Sequence, residues 1–263
     1  MDLGLKNKKA LVTGSSKGLG LAVALGLAQE GAQVALCARS ADGLEAAAAK
    51  IKDQTGQRPV LVPADLTVSG APAEVVGRAA QEMGGLDVLV TNAGGPPAGQ
   101  FEQFGEEDWL KAFRLNCLSA LGLIKAALPL MKDQNWGRVI NLTSISVKEP
   151  VPNLILSNGI RAGLVGAAKT ISQDYGRLGI TVNNIATGWT KTERVLDLAQ
   201  AKTAGTDQSP DDFLASVAKT IPLGRMNEPQ EVASLVVFLA SEPARAITGT
   251  TIAVDGGSCA GLL

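Results

Sequence analysis

Seven short apolar or β-branched runs alternate with longer helical patterns along these 263 residues, and that rhythm admits few folds. Residues 9–13, 33–38, 59–63, 86–91, 138–143, 180–185 and 251–254 read as strands. Several are apolar on both faces, as strands buried inside a parallel sheet are. Helical patterns fill residues 19–30, 43–55, 71–83, 107–132, 156–176 and 229–240. Strand–helix–strand units of this kind cross over right-handedly. The pattern predicts one doubly wound α/β domain over residues 1–263, a seven-stranded parallel sheet with helices on both faces.

Within the 156–176 helix, Ile160, Leu164, Ala168, Ile171 and Tyr175 recur at three- and four-residue spacing and form one apolar face. Tyr175, the only tyrosine, belongs to that stripe and reads as a packed aromatic. Between Thr192 and Pro222 the rhythm lapses, and residues 204–210 read as a break between two short helices. Residues 193–221 would lie beyond the sixth strand, where open α/β sheets bind ligands. They read as a mobile substrate lid or as a plain surface loop.

Charge and composition remove several function classes. Lys plus Arg number 24 against 25 Asp plus Glu, so neither nucleic acid nor an anionic membrane is an expected partner. No apolar run approaches the roughly 18 residues of a membrane span, and residues 232–240 read as a buried helix. The polar N-terminus runs straight into a strand, which is not the pattern of a signal peptide. Cys37, Cys117 and Cys259 are far apart, which favours reduced thiols in a cytoplasm. The chain has no histidine, so a Ser-His-Asp triad and His-ligated zinc are excluded.

A nucleotide site is legible at the first strand–helix junction, Thr13-Gly14-Ser15-Ser16-Lys17-Gly18-Leu19-Gly20. Glycines there permit a tight turn and let backbone N–H groups approach a pyrophosphate at the helix N-terminus. The second strand ends in Arg39-Ser40, where an NAD-selective site would carry a carboxylate for the ribose 2′-OH. A guanidinium instead suits a 2′-phosphate, and Lys17 would add a second positive charge, so the expected cofactor is NADP(H).

These motifs, with Asp65, Asn92-Ala93-Gly94, Asn116, Ser144, residues 183–188 and Asp255-Gly256-Gly257, resemble the classical short-chain dehydrogenase/reductase family, a Rossmann-type fold, over nearly the whole chain. The resemblance implies that Asp65 and Leu66 border the adenine and that Asn92, Ala93 and Gly94 lie beside the cofactor. Gly188, Thr190 and Thr192 would meet its carboxamide and pyrophosphate. Thr187 replaces the family's usual proline and is expected to loosen that loop. Homotetramers (or homodimers) are implied too, through the 107–132 and 156–176 helices and the C-terminal segment; the weakly charged residues 115–130 and the apolar tail 259–263 suit such interfaces.

The family's chemistry uses Asn, Ser, Tyr and Lys. Asn116 and Ser144 match, but the Tyr-x-x-x-Lys positions hold Ser157 and Arg161. In the family the lysine cation lowers the phenol's pKa so that it can give up a proton near neutrality. A serine alcohol is a far weaker acid, and Arg161 can hold the ribose but not release a proton. Losing that acid costs roughly 10²–10⁴ in rate, less than positioning can contribute. Lys148, near Ser144 on a loop rimming the pocket, could take the proton role, anchor an anionic substrate, or simply pair with Glu149.

The expected function is a divergent NADP(H)-dependent oxidoreductase for a carbonyl/alcohol pair, resembling 3-oxoacyl-acyl-carrier-protein reductases. In it Ser144 and Ser157 would hold the substrate oxygen, Arg161 the nicotinamide ribose, and Asn116 a water chain. A silent NADP(H)-binding protein or partner subunit is one alternative; a non-redox dehydration or isomerisation is another.

Overall fold

The computed structural model describes residues 1–261 (for Ala201, the backbone alone). Its strands are β1 (Lys9–Thr13), β2 (Gln33–Ala38), β3 (Val60–Pro63), β4 (Val88–Thr91), β5 (Gly137–Leu142), β6 (Ile180–Thr187) and β7 (Thr251–Val254). The helices are α1 (Gly18–Gln29), α2 (Ala41–Thr55), α3 (Ala71–Met83), α4 (Glu106–Phe113), α5 (Ser119–Asp133), α6 (Ile155–Tyr175), α7 (Glu193–Thr203), α8 (Pro210–Thr220) and α9 (Pro229–Ala240). All strand pairs are parallel, in the order β3-β2-β1-β4-β5-β6-β7. The chain winds outward from β1 to β3, returns to set β4 on the other side of β1, and continues to β7. Crossovers from β1 and β4 thus diverge, leaving a crevice above their C-terminal ends.

Layering explains the two-sided apolar strands. Ala10 and Val12 of β1 pack into a core with α1, α2 and α9, while Leu11 between them enters a second core with α3 and α5. The two-residue side-chain period of a strand sends neighbours to opposite faces. On α6, Ile160, Leu164 and Ala168 are buried as the stripe requires. Tyr175 packs at its end, with Lys132 Nζ 5.9 Å from the ring centroid.

Caps set several boundaries near the crevice. α2 begins where Ser40 Oγ accepts from the Gly43 N–H (3.0 Å) and ends at Gly56, whose φ of +76° stops the helix. Ser209, with Pro210 after it, starts α8 by accepting from the Asp212 N–H (3.1 Å), so the 204–209 break does separate two helices.

Three expectations need correction. The 107–132 helix is interrupted by a π turn, Arg114–Leu118, between α4 and α5. The wider turn is held partly by Asn116, whose Nδ2 donates to the Ala112 carbonyl (3.3 Å). Because helix runs through that turn, Glu106–Asp133 is, by length and composition, long and apolar enough to span a membrane, at mean hydropathy 1.3 over its most apolar window. Its Leu123, Ile124, Ala127 and Met131 are buried in the second core. The third is β6, which runs two residues further than expected: Thr187 donates its hydroxyl to the Thr143 carbonyl (2.9 Å), joining the ends of β5 and β6 instead of loosening them. Of the apolar tail, Leu262 and Leu263 lie outside the described residues.

A polar row crosses half the sheet. Thr91 donates to Asn141 (2.7 Å), Asn141 to Asn184 (2.9 Å) and Asn184 to Thr251 (3.2 Å), at matching register on β4, β5, β6 and β7. Buried amides are tolerated here because each meets a partner. Only strand register brings these residues together.

Candidate active site

The loop after β1 is folded so tightly that glycine is required. Gly14 has φ +59°, and a Cβ there would lie 2.7 Å from Asn92 Nδ2. At Gly20, in the first turn of α1, a Cβ would run into the Gly14 carbonyl oxygen. Asn92 anchors the loop, with Nδ2 donating to the Gly14 carbonyl (3.1 Å) and its N–H to Thr13 Oγ1 (2.8 Å). Ser15, unremarked in the sequence, is fully buried and accepts from the Cys37 N–H (3.0 Å), binding the loop to β2. Gly18 turns at φ +57° before α1. Lys17, in the cap position, offers no side-chain acceptor, so the first N–H groups of α1 keep their capacity for an anion.

The adenosine end of the crevice is bounded by β2 and β3. Arg39 is exposed at the end of β2, and no ion pair occupies it among the described residues. Ser40 is committed to capping α2, and Ser16 lies beside it against Gly43. Asp65 Oδ1 accepts from the Thr67 hydroxyl (2.7 Å) and N–H (2.9 Å); these bonds, and to a lesser degree the charge of Arg39, hold its pKa below the ordinary carboxylate value. Leu66 is half-buried on the second core. Lys17 does not act beside Arg39: its Nζ is 2.6 Å from Glu193 Oε2, because α7 begins directly over the glycine loop.

At the other end, Ala93 and Gly94 continue from Asn92 above β4. Gly188 donates its N–H to the Val254 carbonyl (2.9 Å) and is pressed against Asp255, whose Cα would be 2.7 Å from a Cβ. Thr190 is buried, its hydroxyl donating to the Gly188 carbonyl (3.1 Å); Thr192 rests over Gly18. Arg194, which sequence reasoning missed, reaches back across the crevice to the carbonyls of Gly95 (3.0 Å) and Pro96 (3.4 Å). Glu193 and Arg194 therefore tie α7 to both banks. Only their place directly after Thr192 could have flagged them. The expected lid also walls an apolar groove of about 540 Å³ between α7, α8 and Met226.

The residues expected to do chemistry lie on three segments: Asn116 in the π turn, Ser144 and Lys148 after β5, and Ser157 and Arg161 on α6. Ser144 is half-buried, and its Oγ accepts from the Ser146 N–H (3.2 Å). Ser157 is buried and lies 2.9 Å from Ser146 Oγ, so its partner is that missed hydroxyl and not Ser144. One turn along α6, Arg161 is 7% exposed; its NH1 donates to the Leu142 carbonyl (3.3 Å) and its Nε has no partner. Burial, and then the charge of Arg194, push its pKa down to about 10, so it remains a cation at neutral pH. Asn116, 3% exposed, likewise leaves Oδ1 unpaired. Lys148 is half-buried and closes the Ile145–Val147 turn; Glu149 does not pair with it and accepts instead from the Ala260 N–H (3.1 Å). Burial pushes the Cys37 thiol up to about 12 and raises that of Cys117, which removes both as nucleophiles. Among the described residues no metal-binding cluster occurs.

A dinucleotide fits this crevice. The loop after β1 has no room for a side chain at Gly14 or Gly20 and leaves the first N–H groups of α1 without a side-chain cap, while Asn116 Oδ1 and Arg161 Nε are buried without partners.

Comparison with known proteins agrees. A family profile described as Enoyl-(Acyl carrier protein) reductase matches residues 14–259. The 3-oxoacyl-acyl-carrier-protein reductase of Staphylococcus epidermidis is 35% identical over 252 residues, 95% of this chain and 98% of that one. The chain belongs to the short-chain dehydrogenase/reductase family. The NADPH-dependent reductase BacG of Bacillus subtilis is 31% identical over 97% of this short-chain dehydrogenase/reductase and 98% of its own length. Among solved structures, L-sorbose reductase of Gluconobacter frateurii, complexed with NADPH and L-sorbose, superposes with a TM-score of 0.96 at 33% identity, covering both chains completely. The seven-stranded parallel sheet is the one this family's Rossmann-type fold implies, and the chain is accordingly an oxidoreductase.

Proposed function

We propose that this protein is an NADP(H)-dependent oxidoreductase acting on a carbonyl/alcohol pair, in the manner of 3-oxoacyl-acyl-carrier-protein reductases but without their tyrosine and lysine. The observation that carries the reading is the glycine cradle, where no side chain fits at Gly14 or Gly20 and the first N–H groups of α1 have no side-chain cap. Gly14, Gly18 and Gly20 hold the pyrophosphate, Arg39 the 2′-phosphate, and Arg161 the nicotinamide ribose. NADP(H), when bound, supplies or accepts the hydride.

The protein's part is to orient and to manage a proton. Ser144 Oγ already accepts from Ser146, which leaves its hydroxyl proton for a substrate oxygen. Ser157 and Ser146 brace that turn through their mutual bond. Arg161 stays charged and stabilises negative charge developing on the oxygen. Lys148, unpaired with Glu149, is the proton source in place of tyrosine. NADPH consumption over ketones and 3-oxoacyl thioesters tests this, with Lys148→Ala and Ser157→Tyr/Arg161→Lys in parallel. Turnover by the native protein that falls in Lys148→Ala supports the reading. Activity only in the Tyr/Lys variant would instead favour a silent NADP(H)-binding protein, toward which the inward-bonded Ser157 points.

Arg39→Ala is expected to weaken NADPH about tenfold to a hundredfold, the worth of charge-assisted bonds to a phosphate, and to leave NADH nearly unchanged. Equal losses by calorimetry would reject the 2′-phosphate role. Leu110, Phe113 and Leu118, 38%, 40% and 46% exposed around the π turn, suit a buried homotetramer face, and light scattering would size it. The unpaired thiols are compatible with a cytoplasmic location.

A further inference from the structure

Lys17 is the one cation of the glycine loop, and the fold gives it two directions in which to reach. Its neighbour Ser16 packs against the start of α2: Ser16 Cβ and Ser40 Oγ would lie 3.1 and 3.2 Å from a Cβ at Gly43. Arg39 directly precedes Ser40, so the Lys17 backbone sits one residue from the wall that carries Arg39. On the other side stands α7, where Glu193 Oε2 is 2.6 Å from Lys17 Nζ. The two side chains are 60% and 61% exposed, so the ion pair is open to exchange with a ligand in solution.

Glu193 itself is held in place from both sides. Thr192 rests against Gly18, its Cγ2 3.6 Å from the position of a Cβ there. The Lys191 N–H donates to the Asn227 carbonyl (2.9 Å), and Arg194 donates to the carbonyls of Gly95 and Pro96. The carboxylate therefore stays beside the loop, while the long lysine side chain is free to turn. Asp197, one turn along α7, acts on the same lysine; Glu193 raises the Lys17 pKa first, by its hydrogen bond, and Asp197 adds to it. Arg39 in turn acts on Asp65. The two cations at this end of the crevice thus already face carboxylates before any phosphate arrives.

We infer that Glu193 is a cofactor-selectivity residue, an internal competitor that occupies Lys17 in the empty protein and must yield it to the 2′-phosphate of NADP(H). NADH carries a hydroxyl at that position, so it leaves the Lys17–Glu193 pair intact and gains nothing from its release. This deepens the proposed cofactor assignment and rests on it. The pyrophosphate, common to both cofactors, is the other phosphate within the lysine's competence, so the test compares the two cofactors.

Kd values for NADPH, NADH and 2′,5′-ADP are measured by calorimetry in the native protein, Glu193→Gln, Lys17→Gln and the double variant. Glu193→Gln is expected to tighten NADPH and 2′,5′-ADP about twofold to fivefold, the competition an exposed ion pair offers, and to leave NADH unchanged. Lys17→Gln should weaken NADPH, and adding Glu193→Gln to it should then give no gain, because the competitor has lost its object. Equal tightening of NADPH and NADH would assign Lys17 to the pyrophosphate and overturn the inference. A gain that persists without Lys17 would overturn it as well, by showing general charge repulsion. Unchanged NADPH affinity in Glu193→Gln would also reject competition, and weaker binding of both cofactors there would make the pair a clasp instead. Each of those results leaves the cofactor assignment standing. If neither the native protein nor Glu193→Gln binds NADPH or 2′,5′-ADP, the assignment and this inference fall together.

Discussion

Gly20→Ala is expected to raise the Kd for NADPH about a hundredfold, because distorting the cradle by about 1–3 kcal/mol of strain is felt directly by the pyrophosphate. The added Cβ would occupy the position of the Gly14 carbonyl oxygen, and backbone cannot swing aside as a side chain end can. Gly14 in turn is wedged against Asn92 and cannot retreat, since its carbonyl accepts from Asn92 Nδ2. The loop must therefore move outward, opening its N–H groups away from the phosphates. The sheet itself is untouched, so circular dichroism should remain native while calorimetry records the loss. Native-like NADPH affinity in Gly20→Ala would mean that the loop is pliable and that this crevice is not the phosphate site.

Arg161→Met is expected to stabilise the ligand-free protein by about 2 kcal/mol while weakening NADPH at least about tenfold. The guanidinium is buried, makes one bond to the Leu142 carbonyl and has no carboxylate partner among the described residues. Its pKa drops from the ordinary 12.5 to about 10, with burial the larger cause and Arg194 the lesser. For a base whose folded pKa is depressed, holding the proton costs stability. That cost, about 3 kcal/mol by the difference between the two values, is fully present below the folded value of about 10 and fades as pH climbs toward 12.5. Losing the Leu142 bond returns roughly 1 kcal/mol. Methionine fills similar volume without charge. Urea titration at neutral pH should show the higher midpoint, and NADPH should protect the variant less than the native protein. A lower midpoint would show that the arginine's packing outweighs its charge, and would remove the idea that the site is strained toward a ligand.

Much of this was legible from residue order. The glycine spacing 13–20 and the alternation of runs implied a parallel sheet with a phosphate crevice, because backbone sterics and side-chain periodicity act locally. Arg39 and the Ser157/Arg161 replacements could be read the same way, since each is defined by its offset from a recognisable motif. Boundaries suffered where a local pattern met a tertiary bond: β6 gained Thr187 through the Thr143 carbonyl, and the long helix acquired its π turn around Asn116.

The rest depended on contacts between distant segments. Lys17 read as a companion to Arg39, but α7 brings Glu193 to it from 176 positions away along the chain. Ser144 and Ser157 read as joint holders of a substrate oxygen, and the turn of Ile145–Val147 adds Ser146, which the sequence did not flag, as the hydroxyl that meets Ser157. Arg194 carried no signal beyond its place after Thr192 until the fold set it against the Gly95 and Pro96 carbonyls. By itself the sequence determined the layered fold and pointed to the glycine loop and to Ser157 and Arg161 where the family's motif has tyrosine and lysine, all matters of short-range pattern. Which carboxylate meets Lys17, which hydroxyls face each other and which buried atoms lack a partner were decided only by packing, because charge interaction and desolvation depend on distance in space and not on separation along the chain.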